Sequence, residues 1–241
     1  LLLDRPPLYR RALAEFLGTA FLVAVVVGSG IAAQTLSPGN TGLQLLENAA
    51  ATAGGLVALI YAFGPVSGGH FNPLVSAADV IFGRLNARDF PGYIVAQVGG
   101  GIAGAVIANL MFELPAVDWS RHTRASHGLW LGEVVATLGL LLVIFGVARS
   151  GRSSVAPIAV AAYIGGAYFF TSSTGFANPA VTVGRTFSDT FAGIRPSSMP
   201  GFVAAQLVGA AIAIVLIRVL YPNVESAARD VVVPTREAVT E

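Results

Sequence analysis

The 241-residue chain is 54% hydrophobic and 11% charged, with a mean hydropathy of +0.72. An ordinary soluble domain carries about 25% charged residues, so composition excludes one and points to lipid. Acids and bases nearly cancel at net +1, which gives no electrostatic reason to expect a nucleic-acid partner, and the absence of cysteine excludes disulfides, thiolate chemistry and Cys-ligated metal.

Leu1 to Pro7 is too short for a cleaved leader, and Arg10-Arg11 precede an apolar run that reads as a first span. Windows of about 20 apolar residues place six spans at 11–33, 45–64, 90–111, 128–148, 155–172 and 200–221. Glu15 and Glu133 lie near the starts of the first and fourth. Between the second and third spans stands Ser67-Gly68-Gly69-His70-Phe71-Asn72-Pro73-Leu74-Val75; between the fifth and sixth stands Thr174-Gly175-Phe176-Ala177-Asn178-Pro179-Ala180-Val181. In each, Asn reads as a helix cap and Pro as the first helical residue, where no donor is lost. The chain thus divides into an N-terminal segment 1–10, a membrane domain 11–221 and a polar tail 222–241.

The membrane domain reads as two copies, about 11–111 and 128–221. Pro91-Gly-Tyr-Ile-Val-Ala-Gln97 matches Pro200-Gly-Phe-Val-Ala-Ala-Gln206, an offset of 206 − 97 = 109, and the two Asn-Pro pairs are offset by 178 − 72 = 106. Three spans per copy is an odd number, so the second copy enters the membrane from the opposite side and the pseudo-two-fold axis lies in the membrane plane. The arginine bias places both termini in the cytoplasm. Arg5, Arg10, Arg11, Arg84, Arg88, Arg149, Arg152, Arg229 and Arg236 fall on one side, against Arg121, Arg124 and Arg195 on the other.

Half-helices that end in mid-membrane need partners for their loose backbone groups, from protein or from a water-filled cavity. The preceding segments, Gly68, Gly69, His70 and Phe71 in one loop and Thr174, Gly175, Phe176 and Ala177 in the other, would expose a track of carbonyl acceptors. Asn72 and Asn178 would present amide donors at the midplane, backed by two helix N-termini worth about half a positive charge each. A water or neutral polyol is held there, whereas a cation is repelled.

These motifs resemble those of the aquaporins and aquaglyceroporins, the major intrinsic proteins, over residues about 10–221. The resemblance implies an all-α membrane fold of six transmembrane helices plus two re-entrant half-helices, a pore through each subunit, and a homotetramer. It further implies that Glu15 and Glu133 accept hydrogen bonds from the loops; on their own, the two glutamates have interfacial capping as a lesser reading. In this family, pore width and half-helix dipoles set selectivity.

Two departures from the family pattern stand out. The first motif is Asn-Pro-Leu, which puts the bulkier Leu74 where the half-helices are expected to abut. The second lies three residues beyond the second Asn, where water-specific members carry Arg and this chain has Val181. By the same counting the other filter positions fall on Thr52, Gly166 and Gly175, with Phe176 replacing Gly175 if the register shifts by one. Together they imply a wide, uncharged constriction with a single hydroxyl. Arg185 is expected to pair with Asp189 on the protein-facing side, His70 to brace its loop, and His122 and His127 to lie in a solvated connection.

Val-substituted pores of this kind resemble the bacterial subgroup associated with arsenic-resistance gene clusters. That resemblance implies a cell-membrane channel passing arsenite or methylated arsenicals as well as glycerol and water. No nucleophile–base pair, metal-ligand cluster or phosphate loop is present, so no enzyme, cofactor or metal is expected. The alternatives are a water-selective pore, an ion-coupled transporter, which would need a buried ionisable coupling site, and a non-conducting structural member, which would need a blocked mouth.

Overall fold

The computed structural model describes residues 6–221; the expected tail 222–241 and the start of the N-terminal segment lie outside them. Eight helices follow in order: α1 Leu8–Leu36, α2 Thr41–Ser67, α3 Pro73–Ile81, α4 Phe90–Met111, α5 His127–Arg149, α6 Ala156–Phe170, α7 Pro179–Gly184 and α8 Met199–Leu220. Single 3-10 turns at Ser153–Val155, Arg185–Phe187 and Pro196–Ser198 complete the regular structure, and no strand occurs among the described residues. Six helices are long and apolar enough to cross a membrane, at the six expected places.

The first two overshoot their expected limits. α1 runs 29 residues, from the turn after Pro7 to Leu36. α2 begins at Thr41 rather than near 45, because the Asn40 side chain accepts a hydrogen bond from the Leu43 amide at 3.0 Å and caps the helix one turn before the apolar run. It ends where Gly68 takes a left-handed conformation (φ 96°), a turn that a Cβ would strain.

The architecture is a pair of helix pairs. α1 packs on α4 and α5 on α8, while α2 lies against α6 across the join. Small residues permit the close approach. A Cβ on Gly100 would run into the carbonyl oxygen of Phe16, and one on Gly209 into that of Val134. These are the same contact in the two copies, since Gly209 lies 209 − 100 = 109 residues beyond Gly100, the Gln97–Gln206 offset. The outer surface is apolar, with Leu13, Phe21, Val95, Leu131, Leu207 and Val215 exposed.

One end of the bundle, called proximal here, holds the start of α1 and the end of α8. There Arg11 Nη2 lies 2.7 Å from Asp89 Oδ2, joining the start of α1 to the residue before α4. At the distal end the Ser120 amide donates to Thr186 O at 3.0 Å and the Arg195 amide to His122 O at 2.8 Å, drawing the long connections together.

Replacing Gly209 by Leu is expected to overpack the α5–α8 contact by about 1–3 kcal/mol or more, seen as a lower thermal midpoint or a loss of monodisperse protein after extraction. Gly54→Ala, where a Cβ meets nothing within 4 Å, should leave both unchanged.

Candidate functional site

α3 and α7 are the two half-helices, and each is opened by its asparagine. Asn72 Oδ1 accepts from the Leu74 amide at 2.9 Å, and Asn178 Oδ1 from the Ala180 and Val181 amides at 3.0 and 3.3 Å. Pro73 and Pro179 take the first helical positions, as their missing donors favour. The residue before each Asn sits in the left-handed region, Phe71 at φ 47° and Ala177 at φ 49°. Non-glycine residues adopt this conformation at a cost of about 1–3 kcal/mol, which the surroundings must offset.

The surroundings do so with bonds between the copies. Asn72 Nδ2 donates to Ala177 O at 2.8 Å, and Asn178 Nδ2 donates to Phe71 O at 2.7 Å. The two tips are therefore tied reciprocally, each to the strained carbonyl of the other. One hydrogen of each amide is spent in this way, and both asparagines still border the central cavity. Leu74 does not obstruct this junction. It turns away from the cavity into a core cluster with Ala177, Ala136 and Leu140.

Each loop is held from behind by a buried carboxylate. Glu15 accepts from the His70 amide (3.0 Å), the Phe71 amide (2.7 Å), Ser67 Oγ (2.6 Å) and Gln97 Nε2 (2.7 Å). Glu133 accepts from the Phe176 and Ala177 amides, both at 2.9 Å, and from Gln206 Nε2 at 2.6 Å. Gln97 also donates to Ser76 Oγ and Gln206 to Thr182 Oγ1, both at 2.9 Å, so the whole arrangement repeats. These are charge-assisted bonds in a setting where no water substitutes for them. His70 braces the first loop, with Nδ1 3.0 Å from Ser76 Oγ and Nε2 3.4 Å from Asp79 Oδ2.

A cavity of about 80 Å³ runs between the copies. Of the loop residues, Gly69, His70, Phe71, Gly175 and Phe176 line it, whereas Gly68 and Ala177 do not, and Thr174 faces a second space described below. Aliphatic side chains make most of the wall, Leu22, Val26, Leu56, Ile60, Ile144 and Val160 among them. Thr52 and Val181 also line it.

Two expectations about the constriction are corrected. Gly166 is exposed on the opposite side of α6, whose cavity face is Ala156, Val160, Ile164 and Tyr168, spaced four apart. Tyr168, which the counting missed, places its hydroxyl 3.0 Å from Thr52 Oγ1. Period-four spacing along α6 was the available signal.

The second correction concerns charge. Arg185 does not pair with Asp189, which is bound by Arg121 at 2.6 Å instead. Arg185 is 2% exposed, donates Nε to Ala192 O, and stacks its guanidinium 3.4 Å from the Phe176 ring centroid. It lines the cavity and also a distal vestibule of about 190 Å³, with Arg124 and His122. The one-turn offset from Val181 moved the cation outward without removing it. His122 thus borders a vestibule, while His127 opens α5 with its ring 5.5 Å from that of Trp130.

The Major intrinsic protein family model matches residues 3–176. The chain belongs to the major intrinsic protein family. Over 211 residues it is 50% identical to "Aquaglyceroporin AqpS" of Rhizobium meliloti (strain 1021), covering 88% of this chain and 90% of that protein. It is also 32% identical over 219 residues to "Aquaporin Z" of Brucella melitensis biotype 1, covering 84% and 94% respectively. The fold is shared with the X-ray structure of the aquaglyceroporin from Plasmodium falciparum, at TM-score 0.69 and 23% identity over 91% of this chain and all of that one. As a major intrinsic protein the chain is a multi-pass membrane channel protein and not an enzyme.

Glu133→Ala leaves the two buried amides of Phe176 and Ala177 without acceptors, each costing about 1–3 kcal/mol, and Gln206 with Thr182 Oγ1 alone, so the thermal midpoint of the purified protein should fall steeply. Glu133→Gln keeps one acceptor oxygen and should fall less. Equal midpoints for the two variants would contradict the holding role of the carboxylate.

Proposed function

We propose that the chain is a passive channel for small uncharged solutes: water, glycerol, and metalloid hydroxides such as arsenite and methylated arsenicals. The observation that carries this is the cavity wall, aliphatic along most of its length, with neutral polar groups at Asn72, Asn178, His70, Thr52, Tyr168 and the loop backbone, and a single guanidinium, Arg185, toward the distal end. A polyol or metalloid hydroxide can set its hydroxyls on the polar line and its remaining surface on the apolar wall. An ion would lose its hydration with nothing to replace it. Thr52, Gly175, Val181 and Tyr168 form the selecting throat, with Phe176 and Arg185 at its distal edge.

Passive transport is supported by the state of the buried acids. Glu15 and Glu133 are committed to backbone amides, and Glu47, whose Oε1 is bonded to Ser37 Oγ at 2.7 Å, is not among the residues that line the cavity, so among the described residues no glutamate stands free in the conduit to couple an ion. The bacterial relatives and the arginine bias toward the proximal end support a bacterial cell membrane with both termini cytoplasmic. A homotetramer, as the family resemblance implies, would cover part of the exposed apolar surface.

A second reading, a pore restricted to water, is favoured by one observation: Tyr168 and Arg185 intrude where the sequence pattern leaves only small, neutral residues. Proteoliposomes separate the two. Vesicles shrunk by an impermeant solute should reswell with glycerol or arsenite at a rate linear in the gradient and indifferent to ion gradients. Accelerated shrinkage with no reswelling in glycerol or arsenite would establish the second reading, and saturating ion-coupled uptake would refute both. Val181→Arg should cut glycerol and arsenite flux several-fold while sparing more of the water flux.

A further inference from the structure

We propose that the distal vestibule is a binding site for a small oxyanion, held by Arg124 and Arg185. The two guanidiniums share one ring, their Cζ atoms lying 5.2 and 3.4 Å from the Phe176 centroid. Neither is ion-paired with a described residue. The ion pairs among the described residues join Arg11 to Asp89, His70 and Arg84 to Asp79, and Arg121 to Asp189. The carboxylate that acts on both guanidiniums through space, Glu133, is occupied by the Phe176 and Ala177 amides and Gln206.

A guanidinium has five N–H donors. Arg185 uses Nε alone, toward Ala192 O, and Arg124 uses Nε toward Gly193 O at 2.9 Å and Nη2 toward Phe191 O at 3.4 Å. Both Nη groups of Arg185 and Nη1 of Arg124 have no protein acceptor among the described residues. Since Arg185 is 2% exposed and borders both the cavity and the vestibule, its loose donors meet these enclosed spaces and not bulk solvent. Two like charges in so confined a setting are offset best by an anion that takes several charge-assisted hydrogen bonds at once.

The remaining walls refine the ligand. Thr41, Thr174 and His122 add neutral polar groups. Partial desolvation and the neighbouring Arg124 hold the His122 imidazole below the usual histidine pKa. Asn48 lines the same space with its amide donating to Val26 O and Ser29 Oγ, both at 2.8 Å, which leaves its oxygen as an acceptor. Charged donors beside neutral groups that can accept suit an oxyanion that still bears a proton, such as hydrogen phosphate. The vestibule's 190 Å³ accommodates it with some of its water, whose share of liquid volume is about 30 Å³ each.

The test is calorimetric titration of the purified full-length chain with inorganic phosphate, then sulfate, at constant ionic strength set by chloride. Saturable binding at one site per chain is expected, with chloride not substituting. Arg124→Gln should weaken phosphate about tenfold, the loss of a charged hydrogen-bonding partner, while Arg149→Gln at the proximal end changes nothing. If Arg124→Gln does not yield folded protein, Arg185→Lys, which keeps the charge and loses the fork, should weaken phosphate instead. An adventitious, non-saturating heat, or binding undiminished in the folded variant, overturns the proposal. Glycerol flux on the same preparation reports the channel reading separately, since anion binding does not require conduction.

Discussion

A helix that stops halfway across a bilayer strands its backbone amides where no water can reach them, and the rest of this molecule is arranged around relieving that cost. Glu15 and Glu133 provide the relief. Each carboxylate accepts consecutive amides of the loop preceding a half-helix, and each is steadied by a glutamine from the helix packed against its own. The tight α1–α4 and α5–α8 contacts, made possible by Gly100 and Gly209, bring carboxylate and glutamine within reach of one loop. Packing at the periphery and polar bonding at the centre are therefore parts of one requirement.

Satisfying the amides in this way turns the loop carbonyls and the asparagine amides toward the space between the copies. The left-handed residues Phe71 and Ala177 are the local expense of that turn, and the reciprocal asparagine bonds offset it. Electrostatics then divides the conduit along its length. Its wall is largely aliphatic, while its distal end gathers the guanidiniums of Arg124 and Arg185.

Much of this was legible in the chain. Asn-Pro beside glycine gave both half-helices, the repeated Pro-Gly and Gln landmarks gave the two copies, and the paired glutamates stood at matching places within them. What escaped was of two kinds. Boundaries moved where a side chain capped a helix outside the apolar run, as Asn40 does. Facing directions escaped wherever they depended on tertiary packing. Gly166 satisfied a count from the motif, yet the face of α6 toward the cavity is set by its packing on α2 and α5, which presents Tyr168. Arg185 and Asp189, four apart, looked like a helical pair, but the helix gives way to a 3-10 turn at Arg185–Phe187, and Arg121 from another connection claims the acid.

The bond from Asn72 reaches an acceptor 105 residues further along the chain, and the bond from Asn178 reaches back 107. Neither copy can seal its own aperture. As the polypeptide leaves the ribosome, the first loop can be buttressed early by Glu15 and Gln97, while its tip waits unlatched for most of the remaining translation. Synthesis order alone keeps the opening unfinished until the loop of the second copy has been made, and a chain released before residue 178 would have no closed orifice.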